Sequence, residues 1–435
     1  MISNSITNGI NGNANVPGDK SISHRSIIIP SISNGVSEIS NILRSEDVLH
    51  TLNAFKAMGV KVEENNNKLI IFGKGLNSLK KPKRKIYLGN SGTSARLLTG
   101  LLSSQKFDTI LTGDKSLSNR PMRRISDPLS KMNAKINSSN GKLPLKIEGS
   151  ELTSTKIDLD IPSAQIKSGV LLASLNTKGE TIIIENKITR DHTEIMLESF
   201  GAQIDVRKKN NNKLIKIIGK KELVSKNIDV PNDLSSSAFF IVSALINNNS
   251  KVVLKNINNN PTRNGLLLAL EKMGAKIKLL NKRISNNENI CDIEVLSSNL
   301  NGCELGPEIA DLMIDEYPIL AVAASFASTP SIFRGLKELR VKESDRLKLI
   351  MLNLQKCGVN CKTENDDLFI YPSKNYEINS NIIQTDFDHR IAMAFCIMAT
   401  RIGPLRINDS ESINTSFPNF KSELNKLGGS IIWKI

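Results

Sequence analysis

Apolar positions along the chain follow two rhythms, a spacing of three to four residues that predicts helices and a spacing of two that predicts strands. One junction between them recurs. A helical stretch ends in a large apolar residue, Gly or Asn follows, and alternating strand residues come next. The copies are Ala57-Met58-Gly59-Val60-Lys61-Val62, Lys131-Met132-Asn133-Ala134-Lys135-Ile136, Ser199-Phe200-Gly201-Ala202-Gln203-Ile204, Lys272-Met273-Gly274-Ala275-Lys276-Ile277, Lys356-Cys357-Gly358-Val359-Asn360-Cys361 and Lys426-Leu427-Gly428-Gly429-Ser430-Ile431. Their third positions fall at 59, 133, 201, 274, 358 and 428, a spacing regular enough to mark a duplicated unit. Gly or Asn at the helix exit supplies the left-handed residue that ends a helix, and the Val, Ile and Ala that follow line one buried face of a strand. In several copies a second strand follows a polar turn, as in Lys68-Leu69-Ile70-Ile71-Phe72-Gly73, Leu143-Pro144-Leu145-Lys146-Ile147 and Leu214-Ile215-Lys216-Ile217-Ile218-Gly219. Each unit is an α/β block ending in a hairpin.

Six such blocks exceed one comfortable core, so three per domain are expected. The boundary is placed near Val230-Pro231-Asn232-Asp233, ahead of the helix-like Ser235–Leu245. That gives a domain over residues 14–229 and a second over 230–435, which residues 1–13 join. Two domains imply a cleft, with chemistry-bearing loops contributed by both halves.

Composition narrows the class. The 435 residues are 39% hydrophobic and 23% charged, which excludes disordered and fibrous architectures. The apolar runs Ser237–Ile246 and Tyr317–Ala327 are shorter than a bilayer-spanning helix needs, so no membrane partner is expected. The first nineteen residues contain neither Lys nor Arg, and neither a secretory leader nor a transit peptide can be read there. The expectation is a cytoplasmic enzyme of a prokaryote-like cell. Five cysteines, Cys291, Cys303, Cys357, Cys361 and Cys396, form no paired framework, which fits a reducing compartment. Cys357 and Cys361 lie four positions apart, but no second ligand pair follows at metal spacing, so structural thiols are expected. A net charge of +15 predicts a surface that attracts anions, either nucleic acid or phosphorylated metabolites. With only 4% aromatic residues the chain offers few platforms for stacking bases.

Several strings place polar and basic residues where helices begin. Val16-Pro17-Gly18-Asp19-Lys20-Ser21-Ile22-Ser23-His24-Arg25 sets a turn ahead of a helix, so backbone N–H groups, Lys20, Ser21 and Arg25 can converge on an anion. Gly113-Asp114-Lys115-Ser116-Leu117-Ser118-Asn119-Arg120-Pro121-Met122 is a related string, and neither has Walker A spacing. Gly89-Asn90-Ser91-Gly92-Thr93-Ser94-Ala95-Arg96 leads into apolar Leu97–Leu102, and the clusters Ser163-Ala164-Gln165-Ile166-Lys167-Ser168 and Thr189-Arg190-Asp191-His192-Thr193-Glu194 also open helices. Acids and bases alternate in Met313-Ile314-Asp315-Glu316-Tyr317-Pro318, Leu339-Arg340-Val341-Lys342-Glu343-Ser344-Asp345-Arg346 and Asp386-Phe387-Asp388-His389-Arg390-Ile391-Ala392-Met393. Taken singly, each is an ordinary cap or solvated face. Basic strings in one half and acid-bearing strings in the other raise the odds of a shared site.

In this order, and over essentially the whole chain, these strings resemble 5-enolpyruvylshikimate-3-phosphate synthases (3-phosphoshikimate 1-carboxyvinyltransferases). The strings around Asp315 and Arg190 look like the second, bacterial class. The resemblance implies an α/β fold of two domains, each of three βαβαββ repeats, in the inverse α/β barrel of the enolpyruvyl transferases, with the chain crossing between domains twice. It also implies transfer of the enolpyruvyl group of phosphoenolpyruvate to the 5-hydroxyl of shikimate 3-phosphate, on the way to chorismate and the aromatic amino acids. No metal or organic cofactor, no nucleic acid and a monomeric state go with it. Carried over position by position, Lys20, Ser21, Arg25, Ser163, Ala164, Gln165, Arg190, Asp315 and Lys342 hold shikimate 3-phosphate. Lys20, Gly92, Arg120, Gln165, Arg346 and Arg390 hold phosphoenolpyruvate. Asp315 is the implied base, and Glu343 with Lys20 the implied acid.

The chain departs from the family pattern in places. Thr415, in Asn414-Thr415-Ser416-Phe417-Pro418, stands where many relatives carry a Lys that contacts phosphoenolpyruvate, and Glu338 stands where some carry an Asn. Gly92 replaces an Ala with which some second-class relatives exclude glyphosate, so room for that inhibitor is expected. The related enolpyruvyl transferase acting on UDP-N-acetylglucosamine is the alternative, yet no Cys precedes Cys291 to supply its loop cysteine. A basic nucleic-acid-binding protein would explain the charge but leaves Asp315 and Glu343 without a task.

Overall fold

All six helix-exit residues of the repeat are left-handed, with φ of +87° at Gly59, +64° at Asn133, +87° at Gly201, +80° at Gly274, +79° at Gly358 and +110° at Gly428. Residues with a Cβ resist that region, which is why Gly and Asn occupy these positions. The structure, a computed structural model, describes residues 1–209, 212–373 and 376–432.

Each repeat builds a four-stranded sheet of one design. Ile86–Tyr87 runs parallel to Thr109–Thr112, which pairs antiparallel with Lys142–Glu148, which pairs antiparallel with Lys135–Ser139. The other five sheets keep this order. Three of them take in a strand from elsewhere in the chain, one being Asn11–Ala14, which adds in parallel to Lys251–Asn258. Ile228–Asp229 adds in parallel to Asn34–Ser40. Ile2–Ser3 lies antiparallel between Leu405–Ile407 and Ile431–Ile432, where a repeat's own last strand would stand. The fold is thus the six-block α/β architecture of βαβαββ repeats.

The chain divides into two compact units, Gly18–Val230 with Ser285–Glu288, and Met1–Pro17 with Pro231–Ile284 and Asn289–Ile435. Each has its own apolar core. In the 18–230 unit the helices Lys20–Ser31, Gly92–Ser103 and Ala164–Leu175 are buried almost all round. In the 231–435 unit every residue of Leu234–Ile246 and Tyr317–Ser325 is buried, as is most of His389–Ile402. The sheets alternate buried and exposed positions, as along Lys142–Glu148, so one face meets the helices and the other meets water. Helices inside and sheets outside is the inverse barrel arrangement.

Helix approach in the 18–230 unit is set by glycine. A Cβ on Gly100 would lie 1.9 Å from the carbonyl oxygen of Gly169, so the helices Gly92–Ser103 and Ala164–Leu175 touch backbone to backbone. Their starts come together as a result: the Gln165 side-chain amide donates to Thr93 Oγ1 at 3.0 Å.

Candidate functional site

In the 18–230 unit three helix N-termini carry the expected residues. Asp19 caps Lys20–Ser31 by accepting from the Ile22 N–H at 2.9 Å, and Ser91 caps Gly92–Ser103 by accepting from the Ser94 N–H at 3.2 Å. Ser163 precedes the third helix, Ala164–Leu175, without a side-chain cap bond. Unspent N–H groups and the positive end of the peptide dipoles favour anions at such termini. Lys20 is steadied by Asp47 at 2.5 Å. Arg96 donates to Gln165 Oε1 at 2.5 Å, and Arg120 bonds Asn90 and, at 3.4 Å, Ser116. Gly92 lies against these cations, since a Cβ there would stand 3.0 Å from both Arg96 Nη1 and Arg120 Nη1.

Arg25 is buried, and its guanidinium donates to the Ser21 carbonyl at 2.8 Å, Ser168 Oγ at 2.7 Å and Thr193 Oγ1 at 2.6 Å. Burial lowers its pKa to about 10 against the pull of Glu194, Asp19 and Glu288, with Arg190 adding to the lowering. Arg190 is half-buried on the segment before the helix His192–Ser199.

His24 stands behind Lys20, buried, with Nδ1 2.8 Å from Thr51 Oγ1. Burial, then Lys20 and Arg25, hold its pKa well below the ordinary 6.5. Below pH 6.5 the unfolded chain takes up a proton that folded His24 refuses, so stability present above that pH is lost as pH falls. His24→Asn should flatten this acid slope in urea unfolding compared at about pH 7.5 and about pH 5.5. An unchanged slope would assign the dependence elsewhere.

In the 231–435 unit one buried guanidinium gathers the acids. Arg346 opens the helix Arg346–Lys356 and bonds Asp388 Oδ2 at 2.7 Å, Asp315 Oδ1 at 3.1 Å and Glu343 Oε2 at 2.5 Å. Burial alone would lower its pKa, but the carboxylates of Asp388, Glu343 and Asp315 outweigh burial and raise it. Lys342 Nζ is 3.7 Å from Asp315 Oδ1. Arg390, at the start of His389–Ile402, donates to the Asp315 carbonyl at 3.2 Å, and its N–H is capped by Asp388 at 2.9 Å. Thr415 Oγ1 donates to the Ser412 carbonyl at 2.7 Å and lies 3.3 Å from His389 Nδ1, so an uncharged hydroxyl occupies this edge. In the same unit, Glu316 accepts from Ser235, and Arg263 bonds Asp233 at 2.8 Å.

Of the nine expected residues of the 18–230 unit, Lys20, Ser21, Gly92, Ala164 and Gln165 lie in the first turn of a helix, Arg25 one turn further along, and Arg120, Ser163 and Arg190 on adjoining loops, while Asp315, Lys342, Glu343, Arg346 and Arg390 form a connected cluster in the other unit. Sequence reasoning passed over Asp47, Arg96 and Asp388 as partners of these groups. Arg96 had a signal, since it follows Gly92 by one helical turn. The five cysteines are free, and burial raises the Cys357 and Cys361 thiols to about 12, which leaves them inert. Among the described residues no group of three His, Cys, Asp or Glu side chains is arranged for a metal, and no helix is long and apolar enough to cross a membrane.

Known proteins match this chain throughout. The sequence model of EPSP synthase (3-phosphoshikimate 1-carboxyvinyltransferase) matches residues 5–424. The 3-phosphoshikimate 1-carboxyvinyltransferase of Ruthia magnifica subsp. Calyptogena magnifica is 47% identical over 427 residues, which is 98% of this chain and 97% of that one. Its counterpart from Paramagnetospirillum magneticum is 44% identical over 425 residues, covering 97% and 95%. Among solved structures, an EPSP synthase from Acinetobacter baumannii is similar with a TM-score of 0.86 at 42% identity, covering 99% of both chains. The enolpyruvyl transferase NikO from Streptomyces tendae shares the fold, with a TM-score of 0.75 at 15% identity over 99% and 97% of the two chains.

Proposed function

The chain belongs to the EPSP synthase family, and we propose that its two residue clusters divide between them the transfer of the enolpyruvyl group from phosphoenolpyruvate to the 5-hydroxyl of shikimate 3-phosphate. Both substrates are polyanions, which gives the cationic helix starts a chemical reason. Lys20, Ser21, Arg25, Ser163, Ala164, Gln165, Arg190 and Lys342 hold shikimate 3-phosphate. Arg120, Arg346 and Arg390, with Lys20, Gly92 and Gln165, hold phosphoenolpyruvate, and each guanidinium can meet carboxylate or phosphate oxygens bidentately.

Asp315 takes the 5-hydroxyl proton as that oxygen bonds C2 of phosphoenolpyruvate, and Glu343 with Lys20 delivers a proton to C3, turning methylene into methyl. In the second half a methyl proton returns to a base, the C2–O bond to phosphate breaks, and phosphate leaves. The observation that carries this division is Arg346, which holds Asp315 and Glu343 on one guanidinium. An arriving anion competes for that guanidinium and so frees both acids for proton transfer. The same reading carries a cytoplasmic monomer needing no cofactor.

The test is phosphate release from phosphoenolpyruvate with shikimate 3-phosphate, beside a reaction supplied with UDP-N-acetylglucosamine. Release with the shikimate ester alone is expected. Release with the nucleotide sugar alone would keep the reaction type and overturn the acceptor.

A further inference from the structure

The 18–230 unit buries four charges that the mechanism above does not use. Lys167, fully buried in the helix Ala164–Leu175, places its ammonium 2.9 Å from Glu185 Oε2, 2.8 Å from Glu194 Oε1 and 3.4 Å from the Thr189 carbonyl oxygen. Three donors therefore meet three acceptors. Glu185, at the end of the strand Glu180–Glu185, accepts the Thr189 hydroxyl with its other oxygen. Glu194 is shared with Lys213 at 2.9 Å, and Lys213 lies 3.6 Å from Asp191. Burial pushes Glu194 up, but Lys167 and Lys213 together outweigh it and hold the carboxyl below its usual range, while at Glu185 burial outweighs the single cation Lys167 and raises it.

A buried ion network is weak evidence for stability, because apolar side chains of similar volume often hold a core as well or better. Its placement is more telling. Thr189 is held through both its hydroxyl and its carbonyl, Asp191 faces Lys213, and Arg190 lies between them. Lys167 also sits on the helix whose start carries Ala164 and Gln165. One ammonium thereby ties the segment bearing Arg190 to the helix start bearing those residues.

We propose that Lys167, Glu185 and Thr189 are positioning residues that fix the Arg190 segment against the Ala164–Gln165 helix start, so that the two grip one phosphorylated acceptor in register. This rests on Arg190 binding shikimate 3-phosphate, as read above. Thr189→Val keeps the volume and removes the hydroxyl, and Thr189→Ser restores it. Thr189→Val should raise the KM for shikimate 3-phosphate about tenfold, the worth of one hydrogen bond to a charged group. The KM for phosphoenolpyruvate should hold, and Thr189→Ser should return both to the parent values. A purely structural role would lower the active fraction, and so kcat, without moving one KM alone. Unchanged KM for shikimate 3-phosphate in Thr189→Val, or an equal rise in both KM values, overturns the proposal. Arg190→Ala separates the two levels: if it raises that KM while Thr189→Val does not, only the positioning role fails, and if it does not, the assignment of Arg190 falls and takes this proposal with it.

Discussion

Asp315→Asn should lower kcat by about 10²- to 10⁴-fold, the range spanned by a positioned acid or base, while shikimate 3-phosphate binding stays detectable by calorimetry. The carboxylate lies 3.1 Å from Arg346 Nη1 and 3.7 Å from Lys342 Nζ, so an anion that takes over Arg346 would release it to accept a proton. Asparagine keeps the shape and removes the basic oxygen. It also takes one negative charge from a cluster in which Lys342, Arg346 and Arg390 face Asp315, Glu343 and Asp388, so anion binding should not weaken through charge. Near-normal turnover would remove Asp315 from the proton transfers and leave Glu343 and Lys20 as the groups to examine.

Glyphosate should inhibit the parent protein, and Gly92→Ala should relieve that inhibition. A Cβ at position 92 would stand 3.0 Å from a nitrogen of each of two guanidinium groups, Arg96 and Arg120, closer than side chains ordinarily tolerate. Both are the far ends of flexible side chains, so the protein accommodates the methyl by moving them. The cost falls on binding rather than on folding. One methyl group in a fitted site discriminates by about 10- to 200-fold, and glyphosate, longer than phosphoenolpyruvate, should lose more of that than the substrate does. Inhibition curves at low phosphoenolpyruvate would decide it: undiminished turnover of the parent at high glyphosate contradicts the room assigned to Gly92.

Much of the architecture was legible because its signals are local. Gly59, Asn133, Gly201, Gly274, Gly358 and Gly428 mark helix exits by a left-handed backbone requirement that Gly and Asn satisfy. The strands that three sheets take from elsewhere in the chain were not legible. Ile228–Asp229, Ile2–Ser3 and Asn11–Ala14 are two to four residues long, too short for any periodicity, and they pair with partners far away in the chain. At the site, capping and ligand binding looked like rival readings of Asp19, Ser91 and Asp388, yet capping is what orients the helix starts that present the cations. The hidden part is the pairing. Asp388 serves Arg346 from 42 residues away, and Glu185, Glu194 and Lys213 stand in polar or charged strings that give no sign of burial. Lys167, the one charge ahead of the apolar Val170–Leu172, is itself a signal, because burial there demands a partner.

Proton delivery to the methylene carbon by Glu343 with Lys20 can be tested by running the complete reaction in heavy water and examining the enolpyruvyl methylene of the product by NMR. Addition followed by elimination passes through a methyl group that has gained one solvent hydrogen, so deuterium should appear in the methylene, and should be lost together with turnover in Glu343→Gln. A product formed at full rate with no deuterium would mean that the carbon is never protonated, and would contradict the roles given to Glu343 and Lys20.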